Sequence, residues 1–90
     1  MICEKITIVN KLGLHARASA KLAQHAAQFS SKVELGPEES SVVDCKSIMA
    51  LMMMAAGIGT QMVLRVEGDD EDLAFKDISD LIEDKFGEGE

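Results

Sequence analysis

The sequence predicts an α+β domain in which one β-sheet carries its helices on a single face. Short segments with alternating apolar and polar residues, clearest over residues 61–67, predict strands, and longer segments with one apolar stripe, such as residues 15–28, predict helices. The order along the chain is β-α-β-β-α-β-α. Strands that are apolar on one side need a cover on that side only, which favours a single sheet with helices on one face.

The first half of the chain predicts three strands and one helix. Residues 2–9 are rich in β-branched side chains and predict the first strand. Residues 15–28 predict the first helix, because apolar side chains recur there at helical spacing. Residues 32–35 alternate and predict a second strand, which a Gly-Pro turn over residues 36–40 connects to a short third strand over residues 41–44.

The second half predicts two helices that flank the fourth strand. Ser47 fits an N-cap, and residues 49–56 predict a helix that ends at a Gly-Ile-Gly stretch. Residues 61–67 predict the fourth strand. The acids of residues 69–72 suit the first turn of a third helix, because negative charge is favourable at a helix N-terminus. We expect one domain over residues 1–87 and a short flexible tail over residues 88–90.

Composition excludes several functional classes. The chain has 90 residues, of which 47% are hydrophobic, so it can form a core without disulfides. Its net charge of -7 makes it a poor ligand for nucleic acid, and it lacks a basic amphipathic segment for a membrane surface. Cys3 and Cys45 match no metal-ligand spacing. Because no signal peptide is found at its start, we expect the chain to be cytoplasmic and its thiols to be reduced. We also expect a monomer with no metal and no cofactor.

His15 and Arg17 lie two residues apart at the predicted start of the first helix. The unpaired N–H groups of a helix N-terminus bind anions, and a guanidinium can hydrogen-bond to two phosphate oxygens at once. Histidine adds a nitrogen nucleophile that is available near neutral pH. These residue types together predict a site that carries a phosphoryl group on histidine. The alternative is a solvated helix cap without chemistry, and the segment by itself leaves both open.

Other candidate positions have structural explanations as well as functional ones. The second helix contains four methionines, which we expect to be mostly core, with one or two at the surface for partner binding. Ser47 is either only an N-cap or also a phosphorylation site, and capping alone would justify a serine there. We expect His25, in the middle of the first helix, to be solvated and without a partner.

Two segments of the chain resemble the HPr family, the histidine-containing phosphocarriers of the bacterial phosphotransferase system. Residues 10–17, Asn-Lys-Leu-Gly-Leu-His-Ala-Arg, resemble the active-site turn of that family. Residues 46–49, Lys-Ser-Ile-Met, with Ala-Ala-Gly at residues 55–57, resemble its regulatory region. The resemblance extends over essentially the whole chain and implies an open-faced β-sandwich, with a four-stranded antiparallel sheet covered on one face by three helices.

The resemblance also implies roles for individual residues. His15 would accept a phosphoryl group from phosphorylated enzyme I and pass it to enzyme IIA domains, so that the chain is a carrier and not a stand-alone enzyme. The phosphate would be held by Arg17 and by the backbone of Ala16, Arg17 and Ala18. Ser47 would be the target of an HPr kinase/phosphorylase. The implied docking surface consists of Ala20, Lys21, Ile48, Met49 and Met52.

One position departs from the family pattern, since many members have proline where this chain has Ala18. Alanine is the stronger helix former, so we expect the site to be intact. The departure leaves open whether the chain serves sugar transport or acts as a regulatory interaction module of the nitrogen-related branch. The family's strand order implies that Cys3 and Cys45 are too far apart to bond. A hydrolase using His15 ranks last, because no general base or orienting group accompanies it.

Overall fold

The order of strands and helices agrees with the sequence-based prediction throughout. The computed structural model describes residues 1–90. The strands are β1 (Ile2–Thr7), β2 (Lys32–Gly36), β3 (Val43–Asp44) and β4 (Gln61–Glu67), and the helices are α1 (Ala16–Ala26), α2 (Ile48–Met53) and α3 (Glu71–Glu83). Short 3-10 turns lie at Glu39–Ser41 and Lys85–Gly87. None of the helices is both long and apolar enough to cross a membrane.

The four strands form one antiparallel sheet in the order β1-β4-β2-β3. Within it, Met62 of β4 pairs with Ile6 of β1, and Leu64 pairs with Leu35 of β2. β1 and β3 are therefore the two edges of the sheet. Cys3 lies on β1 and Cys45 directly follows β3, and both thiols are free.

The core lies between the helices and one face of the sheet. β4 shows the alternation most clearly, because Met62, Leu64 and Val66 are buried while the two residues between them are half-buried. The apolar stripes of α1 and α3 cover this face, and the buried apolar side chains form one cluster of 19 residues. The predicted fold class, an open-faced sheet with three helices on one side, is confirmed.

Four elements are shorter than the sequence predicts, since β1 ends at Thr7 and α1 at Ala26, and both α2 and β3 are also shortened. α2 ends at Met53 instead of continuing to residue 56, and Ala55 has a φ of 50°, which an α-helix cannot accommodate. β3 has only two residues because the chain before it forms a 3-10 turn. That turn packs directly on Gly36, where an added Cβ would lie 2.0 Å from the carbonyl oxygen of Ser41.

The expectation that the methionines of the second helix are mostly core is wrong. Leu51 is the only residue of α2 that is fully buried. Met49, Met52 and Met53 expose 69%, 39% and 81% of their surface, so α2 presents an apolar face to solvent. A helix of six residues packed through one side chain cannot bury the rest.

His25 and Asp70 each contact a segment that is distant in sequence. Sequence analysis predicts a solvated His25 and an Asp70 that only complements the dipole of α3. His25 is not without a partner, since its Nδ1 lies 2.8 Å from Oδ2 of Asp77, which joins α1 to α3. Asp70 precedes α3 but makes no side-chain cap there. Its carboxylate accepts hydrogen bonds from the backbone N–H groups of Ser30 and Ser31 and from the Ser31 hydroxyl. The acids before α3 therefore do more than complement its dipole.

Candidate functional site

A tight loop between β1 and α1 fixes where α1 begins. Asn10 is fully buried, and its Nδ2 donates to the carbonyl oxygen of Gly13 at 2.8 Å. Gly13 has a φ of 65°, and a Cβ there would lie 2.2 Å from the carbonyl oxygen of Ala56. The N–H of Leu14 donates to that same oxygen at 2.9 Å. Only glycine fits this turn, and the loop is thereby held against the chain that follows α2.

His15 is the N-cap of α1. Its backbone is extended, with φ −74° and ψ 179°, and its Nδ1 accepts a hydrogen bond from the N–H of Arg17 at 3.3 Å. Ala16 and Ala18, on either side of Arg17, have N–H groups for which an α-helix offers no carbonyl partner at its first turn. The imidazole thus lies where a helix N-terminus favours negative charge, as the sequence predicts.

The other nitrogen of the imidazole contacts the C-terminal tail. Nε2 of His15 lies 2.5 Å from Oε2 of Glu88, and Nε of Arg17 lies 3.7 Å from the same oxygen. Nδ2 of Asn10 donates to Oε1 of Glu88 at 2.9 Å. The Glu88 side chain is only 9% exposed, whereas that of His15 is 26% exposed and that of Arg17 is 75% exposed. Sequence analysis assigned residues 88–90 to a flexible tail and did not find this carboxylate.

A buried phenylalanine directs the tail toward the site. Phe86 is 2% exposed in the core, and its backbone adopts φ 55° and ψ 26°, which turns the chain out of the helical direction after α3. Nζ of Lys21 donates to the carbonyl oxygen of Phe86 at 3.0 Å. The carbonyl oxygen of Glu90 accepts from the N–H of Lys11 at 2.8 Å, so both sides of Glu88 are attached. An aromatic residue this close to the end, followed by glycine, is the sequence signal that could have indicated a packed tail.

Hydrogen bonds at the site lower the pKa of Glu88. Burial of the carboxyl raises its pKa, but the hydrogen bonds from Asn10 and His15, together with the charges of His15 and Arg17, lower it more. The net pKa of Glu88 is below the ordinary value of 4.5. At neutral pH the group is an ionised carboxylate, which only accepts hydrogen bonds.

The residues expected to dock partners lie on two adjacent helices. Ala20 and Lys21 are half-buried on α1, while Ile48, Met49 and Met52 are exposed on α2. α1 and α2 pack against each other, which places both groups on the same side of the sheet. Leu12, in the loop before His15, is 63% exposed and was not predicted as part of this surface.

Ser47 is confirmed as the N-cap of α2. Its Oγ accepts a hydrogen bond from the N–H of Ala50 at 3.2 Å. The residue is half-buried, and it directly precedes the exposed Ile48 and Met49. A group added to its hydroxyl would therefore lie beside the apolar face of α2.

Comparison with known proteins finds similar sequences over nearly the whole chain. The family model for the PTS HPr component phosphorylation site matches residues 2–84. The phosphocarrier protein HPr of Pseudomonas aeruginosa is 51% identical over 86 residues, which cover 96% of each chain.

The chain belongs to the HPr family.

Solved structures give the same assignment. A crystal structure of HPr from Thermoanaerobacter tengcongensis is similar with a TM-score of 0.90 and 44% identity, covering 98% of each chain. A crystal structure of an HPr dimer from the same organism has a TM-score of 0.73 and 46% identity, covering 92% of this chain and 94% of that one. These structures agree with the family assignment that the two resembling segments predict.

Proposed function

We propose that this chain accepts a phosphoryl group on His15 from phosphorylated enzyme I and passes it to an enzyme IIA domain in the cytoplasm, either of the sugar-transport branch or of the nitrogen-related branch. The observation that carries the proposal is the position of His15 as the N-cap of α1, with the Arg17 side chain beside it. A nitrogen nucleophile, helix N–H groups and a guanidinium occupy one small region. Phosphoryl transfer depends mainly on such positioning and charge stabilisation.

Each group has a distinct part in the transfer. An unprotonated imidazole nitrogen of His15 supplies the electron pair that attacks phosphorus. The N–H groups of Ala16 and Ala18 and the guanidinium of Arg17 offer hydrogen bonds to the phosphoryl oxygens, on which negative charge is concentrated. Because Arg17 is mostly exposed, it can turn toward the incoming phosphate without any change in the core.

The openness of the site suits a relay between two proteins. A carrier must present the same nitrogen first to a donor and then to an acceptor. His15 is half-buried at the surface, and the apolar residues of α2 and Leu12 lie on the segments around it. A partner that covers these apolar side chains would exclude water from the transfer and would bring its own phosphoryl group to His15.

Regulation at Ser47 is a further part of the proposal. Phosphorylation by an HPr kinase/phosphorylase would place a dianion directly before Ile48 and Met49. Docking of enzyme I would then require removal of water from that dianion at an apolar contact, which is unfavourable. The chemistry at His15 would be unchanged, so the defect should be in binding.

The test is phosphorylation of the purified chain by enzyme I and labelled phosphoenolpyruvate. We expect acid-labile label on the wild-type protein and on His25→Ala, but none on His15→Ala. His25 is the matched control, because it is the second histidine and has its own carboxylate partner, Asp77.

Two outcomes would contradict the proposal. Label that survives His15→Ala would place the acceptor elsewhere, and a wild-type chain that takes no label would exclude the carrier function. Incubating the labelled chain with enzyme IIA domains of the sugar and nitrogen-related branches then shows which branch removes the label faster.

A further inference from the structure

We propose that the exposed methionines of α2, Met49, Met52 and Met53, form a site of reversible oxidation by hydroperoxides, and that their conversion to methionine sulfoxide weakens docking of enzyme I. The inference rests on the proposed function, in which this face of α2 docks partners. It adds to that function an oxidant that acts on the carrier itself.

Accessible thioether sulfur is concentrated in α2 and the residue that follows it. The chain has six methionines, and four of them lie within residues 49–54. Met49, Met52 and Met53 are exposed, and Met53 is the most exposed of the three. By contrast, Met62 is only 3% exposed in the core. A dissolved peroxide must reach the sulfur to oxidise it, so the methionines of α2 should react before Met62.

The two cysteine thiols compete poorly for a peroxide. The thiolate is the reactive form of cysteine, so a raised pKa makes a thiol less reactive. Cys45 is fully buried, and this burial raises the pKa of its thiol far above the usual value. Partial burial and a hydrogen bond to Glu39 raise the pKa of the Cys3 thiol. A thioether has no proton to lose, so the methionines of α2 stay reactive at neutral pH.

The oxidation needs no catalytic group on the protein. A lone pair of the thioether sulfur attacks one oxygen of hydrogen peroxide, and the bond between the two peroxide oxygens breaks. Sulfur keeps the attacked oxygen, whose proton moves to the departing oxygen, and this leaves as water. Sulfur thereby loses two electrons and the peroxide is reduced. A reductase reverses the change with a dithiol, which becomes a disulfide while the sulfoxide oxygen leaves as water.

A sulfoxide on α2 changes the docking surface but not the core. Its oxygen is a hydrogen-bond acceptor on a side chain that was apolar before. In the free chain, water solvates this oxygen. In a docked complex, the same oxygen would lose that water inside an apolar contact, which is unfavourable without a donor. α2 packs on the core through Leu51, which carries no sulfur, so the fold should be retained.

The position of α2 links this oxidation to the carrier function. α1 and α2 pack against each other, so the oxidised face lies on the helix next to the one that begins at His15. Met1 is also exposed, but it precedes β1, and β1 is the sheet edge opposite to β3, on which α2 packs. A sulfoxide at Met1 should therefore leave docking unchanged.

The test compares the wild-type chain with the triple variant Met49→Leu, Met52→Leu and Met53→Leu. Leucine keeps an apolar side chain of similar volume but cannot be oxidised. Each protein is treated with hydrogen peroxide, the peroxide is removed with catalase, and mass spectrometry locates the sulfoxides. Treated and untreated samples are then titrated with enzyme I that has not met the oxidant, in the presence of labelled phosphoenolpyruvate. Met62→Leu is the matched control, since it is the same change at a buried methionine.

We expect sulfoxides at Met1 and at the three exposed methionines of α2 in treated wild type, but not at Met62. The enzyme I concentration for half-maximal transfer should rise about tenfold, which corresponds to roughly 1.4 kcal/mol, while the melting temperature stays unchanged. Treated Met62→Leu should lose as much affinity as wild type. The treated triple variant should match its own untreated sample, although its Met1 is oxidised. Methionine sulfoxide reductases for both sulfoxide epimers should restore treated wild type.

Several results would overturn the inference. Absence of sulfoxides from α2 would remove the site, and undiminished docking with sulfoxides mapped there would remove their effect. An equal loss in the triple variant would place the effect elsewhere, and a lowered melting temperature would indicate unfolding instead of blocked docking. A loss that the reductases do not repair would exclude reversibility. In all these cases untreated wild type still takes label, so the carrier function stands. Untreated wild type that takes no label would overturn both.

Discussion

At the scale of single residues, His15 is held by one contact at each ring nitrogen. With His15 at the N-cap position, Nδ1 accepts a hydrogen bond from the N–H of Arg17, and Nε2 contacts the carboxylate of Glu88. Ala18 suits the start of α1, because alanine favours the helix and keeps a backbone N–H there. Ala18 is buried at the third helical position, where the N–H has no helical partner in any case.

Replacing Arg17 with alanine should slow transfer without unfolding the protein. Its side chain is 75% exposed, and loss of an exposed charge changes stability by less than about 0.5 kcal/mol. A charged hydrogen bond to phosphate contributes about 1.5–3 kcal/mol, so we expect transfer from enzyme I to be on the order of 10- to 100-fold slower.

The matched control for this prediction is Lys11→Ala, since Lys11 is another exposed cation near the tail, with its Nζ 3.9 Å from Glu90. Rates come from quenched labelling and stability from thermal denaturation. A large drop in melting temperature for Arg17→Ala would show that this residue is structural.

At the scale of elements, α2 is too short to bury its apolar residues. It packs through Leu51 and leaves Ile48, Met49, Met52 and Met53 exposed. Methionine is flexible and polarisable, which suits a surface that must fit more than one partner. We propose that partners dock on this exposed face of α2.

Met52→Asp and Ser47→Asp should both weaken docking of enzyme I. A carboxylate buried in an apolar contact without a partner is strongly unfavourable, so the effect should be larger at Met52. At Ser47 the aspartate carries less charge than a phosphate, so we expect it to weaken docking of enzyme I as phosphorylation would, but by less. We expect a higher enzyme I concentration for half-maximal transfer, with recovery of the rate at saturation.

Leu73→Asp is the control for the docking variants, because Leu73 is 69% exposed on α3 rather than on α2. Titration of enzyme I against each variant separates affinity from rate. Equal affinities for wild type and Met52→Asp would place Met52 outside the interface, and equal behaviour of Ser47→Asp would leave Ser47 as a helix cap only.

At the scale of the whole molecule, side chains connect segments that are far apart in sequence. Asp70, just before α3, accepts hydrogen bonds from the loop after α1, with Ser31 39 positions away. The Ser31 hydroxyl and the backbone N–H of Ser30 contribute most to lowering the pKa of Asp70 from 3.8 to about 2. The ionised form of Asp70 thus stabilises the folded state.

The stability of the protein should consequently depend on pH through Asp70. Because its folded pKa lies below its unfolded value, this contribution is present above pH 3.8 and is lost as the pH falls through about 2. Asp70→Asn should lower the urea midpoint at neutral pH, and its difference from wild type should shrink as the pH falls through that range. The measurement is urea denaturation at several pH values.

Asp69→Asn is the control for Asp70, since Asp69 is its exposed neighbour. This variant should follow wild type at every pH. A constant difference between wild type and Asp70→Asn down to pH 2 would show that the charge of Asp70 does not contribute.

The sequence by itself determined the features that depend on a few neighbouring residues. The alternation of Met62, Leu64 and Val66 predicted the buried face of β4. The helical spacing of apolar side chains predicted α1, and Ser47 predicted the start of α2. These features are local because strand periodicity and helix capping each involve residues no more than four positions apart.

Tertiary structure alone decided which distant side chains meet. Glu88 contacts His15 across 73 positions, Asp77 contacts His25 across 52, and the exposure of α2 depends on what packs beside it. No local pattern encodes these contacts, because each results from the packing of helices on the sheet and from the burial of Phe86. The sequence therefore predicts the nucleophile, while the carboxylate at its second nitrogen is visible only in the folded chain.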